Sequence, residues 1–323
     1  MTTPFHPFRS ERDKAAFHSF YLERAKAWPL PSENRFVDTP SGQTFARVTG
    51  RSTDPPLVLL AGARGSSLMW APSIVELSER HRTYALDLIT DIGLSTPRRD
   101  FKTPDDLMKW LDEVFGVLEP ERPLDLMGVS YGGWLSALYA FRYPRRVRRV
   151  VLLAPGGAVH RMSLAFCLRV ALLCIPIPGG RRSGRPGTLQ RILGWMFADT
   201  LSCGEAGRAQ VEWMTDQINA ARHYAKTWMM WSTVLSDEEW KRFSVPALFL
   251  VGENEKIYSP RRVIRRLNRV APAVRTEIIP GAGHDLMFVK RDLVIERVLA
   301  FLDGPGAGDA VLDWPRMLPL TPV

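Results

Sequence analysis

Four short apolar runs constrain this chain more than anything else in it: "PLVLLAG" (56–62), "TYALDL" (83–88), "PLDLMGV" (123–129) and "VRRVVLLAP" (147–155). Each is too short for a helix buried all round and too continuously apolar for a strand with one wet face. Each therefore reads as a strand covered on both sides. Helical patterns at about 71–80, 104–118 and 131–143 separate them. Short apolar strands alternating with helices predict a parallel sheet of strand–helix–strand crossovers. The rhythm returns late, with "VPALFLVG" (245–252), a helix at 260–271, "VRTEIIPG" (274–281) and a helix at 288–302.

Between 157 and 241 the alternation lapses. That stretch holds the apolar segment "MSLAFCLRVALLCIPIP" (162–178), the basic "PGGRRSGRPG" (178–187) and a helical portion with Trp195, Trp213, Trp228, Trp231 and Trp240. A helical insert at this point predicts a core of 1–156 and 242–303 carrying a cap of 157–241, followed by a Gly/Pro-rich tail, 304–323, that Trp314 could dock. Upstream, 9–28 predicts an amphipathic helix, and 34–38 and 43–49 a strand pair turning at "TPSGQ". The 162–178 segment contains Arg169 and two prolines. It is shorter than the ~20 residues a spanning helix needs, so a lid helix is expected, with Cys167 and Cys174 on one buried face.

At 323 residues the chain can bury a large core without staples. Its net charge of +9 is spread over amphipathic segments. A basic stripe with interleaved aromatics is missing, which argues against a nucleic-acid partner. Three cysteines form neither a disulfide framework nor a zinc spacing, and "MTTPFHPFRSERDK" lacks an apolar signal core. These features predict a cytoplasmic protein without metal or cofactor.

The chemistry centres on Gly128-Val129-Ser130-Tyr131-Gly132, placed between a predicted buried strand and a predicted helix. In that setting a sharp turn lifts the serine hydroxyl out of the sheet, and Gly128 and Gly132 leave room for neighbouring backbone. A serine needs a base. Of six histidines only His284 sits in a short Gly-rich loop after a late strand, "IIPGAGHDL", at the sheet edge where open α/β sheets bind ligands. The histidine needs a carboxylate. The loop after "VVLLAP" offers only Gly156 and Gly157, whereas "LFLVGENEKIYSP" offers Glu253 and Glu255. For the oxyanion, the backbone N–H groups of Tyr131 and of Ala63, in "LLAGARGSSLMW", are the expected donors.

With "GVSYGG", "GENEKIYSP", "GAGHDL" and "LLAGARGSS" in that arrangement, the sequence resembles the α/β-hydrolase-fold serine hydrolases over roughly 45–302. The resemblance implies a mostly parallel central sheet flanked by helices, with a helical cap, and a triad in the order Ser130, acid, His284. It also points to Glu255, three residues past Gly252, as the acid. The family's usual Asp is replaced there by Glu, and its usual His-Gly in the oxyanion loop by Ala61-Gly62. Ser130 disfavours the fold's aspartate-nucleophile branches. The expected activity is hydrolysis of a hydrophobic carboxylic ester through an acyl-enzyme on Ser130, the apolar insert forming the pocket. The same triad would also serve an acyltransferase, thioesterase or cyclase, and a non-catalytic ligand-binding member of the fold is a further alternative. Arg181, Arg182 and Arg185 would suit an anionic partner. The oligomeric state stays open, a homodimer being one option.

Overall fold

The structure is a computed structural model that describes residues 6–173 and 188–304. Cys174, the three arginines at 181, 182 and 185, and Trp314 lie outside the described residues. A nine-stranded sheet forms the centre: β1 (Glu33–Thr39), β2 (Gly42–Thr49), β3 (Pro56–Leu60), β4 (Arg82–Leu86), β5 (Thr96–Pro97), β6 (Leu124–Val129), β7 (Val147–Leu153), β8 (Ala247–Gly252) and β9 (Arg275–Ile279). The order is β1-β2-β4-β3-β6-β7-β8-β9, with β5 paired to β2. From β4 to β9 all pairings are parallel, while β2 meets β1, β4 and β5 antiparallel. The two-residue β5 carries no apolar run and escapes the sequence pattern.

The helices are α1 (Glu11–Ala25), α2 (Ile74–Ser78), α3 (Pro104–Leu118), α4 (Tyr131–Arg142), α5 (Leu164–Leu173), α6 (Thr188–Met196), α7 (Ala198–Leu201), α8 (Gly204–Ala220), α9 (Asp237–Lys241), α10 (Pro260–Val270), α11 (Leu286–Val289) and α12 (Arg291–Asp303). Two-residue periodicity along the strands sorts the core into two layers. Val58 and Leu60 of β3 and Val150 and Leu152 of β7 join Leu107, Trp134 and Val263 of α3, α4 and α10 on one face. Leu57, Leu59, Val151 and Leu153 join Phe17, Ile74 and Val294 of α1, α2 and α12 on the other. Strands buried on both sides are what the continuous apolar runs require.

Three local expectations shift. The late helix at 288–302 is two helices, because Lys290 leaves helical geometry (φ −126°, ψ 33°) between α11 and α12. Trp228 and Trp231 lie in a non-helical segment, where the Trp228 N–H donates to the Thr90 carbonyl. In the apolar segment at 162–178, α5 covers only part, and it leaves Leu164 and Leu168 exposed, one turn apart. Cys167 is half-buried there. No described helix is long and apolar enough to cross a membrane.

Candidate active site

β6 delivers Ser130 to the carboxyl edge of the sheet, and α4 begins at the next residue. Ser130 has φ 51° and ψ −112°, a conformation that a residue with a Cβ rarely adopts and that costs on the order of 1–3 kcal/mol. Backbone bonds hold it there: its N–H donates to Leu153, and its carbonyl accepts from Gly156 and Trp134. A Cβ on Gly128 would lie 2.2 Å from the Gly132 carbonyl, and one on Gly132 would lie 2.2 Å from the Leu60 carbonyl. Close packing of α4 on β3 and β6 leaves no room for a Cβ at either glycine.

His284 follows β9 and Glu255 follows β8, so neighbouring strand ends bring both to the serine. His284 Nε2 lies 2.9 Å from Ser130 Oγ, and Nδ1 lies 2.8 Å from Glu255 Oε2. A carboxylate only accepts, so Nδ1–H donates to Glu255 and Nε2 accepts from the serine hydroxyl. The other Glu255 oxygen accepts from the Ile257 N–H at 2.8 Å, which fixes the carboxylate. Glu253 points elsewhere: its carboxylate accepts from the Gly281 N–H at 3.2 Å and ties the two loops together. Geometry thus separates the two acids that spacing left open.

Burial of the imidazole pulls its pKa down. The adjacent Glu255 charge, its hydrogen bond and the nearby Asp285 charge outweigh burial and leave His284 above the ordinary histidine value. The Asp285 carboxylate, itself buried, accepts from the Gly283 N–H and from both the N–H and hydroxyl of Thr200 on α7. Asn254, next to Glu255, donates to the Asp199 carboxylate at 3.1 Å, also on α7. Phe197 stands over His284 with ring centroids 6.2 Å apart. Sequence reasoning missed Asp285, Asp199 and Thr200. The only available signal was a carboxylate directly following the histidine.

The two expected oxyanion donors flank the serine. Tyr131 opens α4, so its N–H has no intrahelical partner. Its hydroxyl, pushed up to about 12 mainly by burial, accepts from the Met230 N–H at 3.3 Å. Gly62 abuts Ser130, a Cβ there lying 3.5 Å from the serine Cβ, and the exposed Ala63 follows it. Among the described residues no acceptor takes the Ala63 N–H, and no group of three or more His, Cys, Asp or Glu is arranged to hold a metal.

A doubly covered, mostly parallel sheet with a serine on a strained strand-to-helix turn, bonded to a histidine–carboxylate pair, defines an α/β-hydrolase. The chain belongs to the alpha/beta hydrolase family, whose model matches residues 57–297. It is 31% identical over 292 residues to the carboxylesterase YbfK of Bacillus subtilis, covering 89% of this chain and 94% of that protein. The crystal structure of naproxen esterase (carboxylesterase NP) from Bacillus subtilis superposes with a TM-score of 0.78 at 29% identity, over 90% of this chain and 98% of that one. The crystal structure of the carboxylesterase CesB (YbfK) gives a TM-score of 0.78 at 28% identity, over 91% and 99%.

Proposed function

We propose that the protein is a serine carboxylesterase acting on hydrophobic carboxylic esters, with Ser130 as nucleophile, His284 as general base and acid, and Glu255 as the orienting carboxylate. The observation that carries this reading is the unbroken bonding from Ser130 through His284 to Glu255 at 2.9 and 2.8 Å. Nε2 of His284 takes the hydroxyl proton as Oγ attacks the ester carbonyl. The oxyanion is held by the N–H groups of Ala63 and Tyr131, each worth roughly 3–4 kcal/mol when well placed. The proton passes from His284 to the departing alcohol. Water, deprotonated by His284, then releases the acid from Ser130. Residues 1–156 and 242–303 form the core in this reading and 157–241 the cap, whose Phe197 stands over the base. The cysteine usage supports a reducing compartment, the cytoplasm.

The test is a panel of p-nitrophenyl esters of increasing acyl length, with arylpropionate esters included because a relative is a naproxen esterase. Fluorophosphonate labelling with site mapping accompanies it. Ser130→Ala is expected to abolish labelling and to lower kcat by roughly 10⁴- to 10⁶-fold. Turnover that survives Ser130→Ala would sink the proposal. Labelling of Ser130 without ester turnover would instead mark an acyltransferase, thioesterase or cyclase, and a folded but unlabelled protein a ligand-binding member of the fold.

A further inference from the structure

The turn that carries the Ala63 donor is held in an unfavourable shape. The Gly65 N–H donates to the Gly62 carbonyl at 2.9 Å, making Ala63 and Arg64 the central residues. Arg64 has φ 59°, the left-handed region that a second central residue of such a turn normally reaches only as glycine or asparagine. Left to itself, an arginine there would relax and carry the neighbouring peptide with it.

What opposes relaxation is Asp91, in the loop after β4. Its Oδ2 accepts the Arg64 backbone N–H at 2.6 Å, and its Oδ1 accepts from the Arg64 guanidinium at 3.1 Å and from the Ile92 N–H at 2.9 Å. The Asp91 side chain is wholly buried. Capping its own loop would need only a neutral Asn or Ser. A buried carboxylate is costly unless paired, and this one places both oxygens on the residue beside the oxyanion donor. The holder is in turn fixed. The Tyr224 hydroxyl donates to the Gly93 carbonyl and accepts the Gly93 N–H, and Asp87 accepts from Leu94 and from Ser67 on the far side of the turn. The guanidinium also donates to Thr227 at 3.1 Å.

We propose that Asp91 is a positioning residue: bonded to the backbone and side chain of Arg64, it keeps the 62–65 turn in the shape that presents the Ala63 N–H to the reacting oxygen. This rests on the reading of Ser130 as an acyl-transfer nucleophile. Among the described residues no hydrogen bond or ion pair joins Asp91 to Ser130 or His284, so its effect passes through the turn. Oxyanion donors stabilise charge because they are aligned in advance, and a displacement of about an ångström forfeits much of that.

The experiment compares wild type, Asp91→Ala, Asp91→Asn and the double variant Asp91→Ala with Arg64→Gly. Readouts are kcat, KM and the inhibition constants of two ketones matched to the best ester. One is a trifluoromethyl ketone, which forms an oxyanion on serine; the other is the unactivated parent ketone. Asp91→Ala is expected to lower kcat by about 10- to 100-fold with little change in KM. The trifluoromethyl ketone should weaken by a similar factor, and the parent ketone should not. Asp91→Asn should lie between. Glycine at 64 adopts the left-handed conformation unaided, so the double variant should recover much of the loss, which no general loss of packing would do. If Asp91→Ala fails to fold, Asp91→Asn and the double variant decide by the same ratio of inhibition constants. Equal weakening of both ketones, or kcat within about threefold of wild type, overturns the proposal. A wild-type enzyme without Ser130-dependent turnover overturns it together with the function it rests on.

Discussion

A methyl group at residue 132 would meet the Leu60 carbonyl at 2.2 Å, and backbone cannot step aside as a flexible side chain can. Gly132→Ala should therefore push α4 off the sheet and tilt Ser130, giving loss of labelling together with a lowered Tm. The two glutamates of the acid loop should behave differently. Glu255→Gln removes the charge that steadies the imidazole and should lower kcat by about 10³- to 10⁴-fold. Glu253→Gln should leave kcat nearly unchanged, because its carboxylate bonds the Gly281 backbone and not His284. The base must be neutral to act. With His284 raised above its ordinary 6.5, kcat/KM should climb with pH through a midpoint above that value. In Glu255→Gln the charge that most opposes burial is gone, so the midpoint should move down. A midpoint that stays put would show that Glu255 does not set the charge of His284.

Among the elements, α7 is four residues long yet bonds both loops of the site, through Asp199 to Asn254 and through Thr200 to Asp285. Thr200→Val takes one donor from a buried carboxylate and should destabilise the protein by about 1–2 kcal/mol. Thermal unfolding measures this, and faster limited proteolysis within 188–220 would locate the loosened part. Long-period elements were legible in the sequence. The apolar runs marked β3, β4, β6, β7 and β8, and the position of Ser130 between a run and a helix marked the elbow. α7 and β5 were not legible, since four and two residues carry no period. Nor were Asp91 and Asp285 legible as site residues. Their partners lie 27 and 85 positions away, and only the fold brings those pairs together. Glu255 could not be chosen over Glu253 by spacing, because both share one loop and only side-chain direction separates them.

The whole molecule carries histidines of opposite sign at opposite ends of the sheet. His81 immediately precedes β4 at its amino end, fully buried, with Nε2 3.5 Å from Asp303 and 4.0 Å from Asp125. Burial lowers its pKa more than those carboxylates raise it, and Arg148, paired to Asp125, adds to the lowering. Burial likewise lowers His18 and His6. A histidine lowered in the fold takes up its proton more readily when unfolded, so stability should fall as pH drops below about 6.5. His284 is raised, and its contribution has the other sign: fully present below the unfolded value and lost as pH rises through the folded one. The lowered histidines push Tm down as pH falls from about 7.5 to 5.5, and His284 opposes them. His81→Gln should flatten that decline, and His284→Gln should steepen it, each read as the slope of Tm against pH. A slope that His81→Gln leaves unchanged would mean that the buried imidazole at the amino edge is not what couples folding to protons.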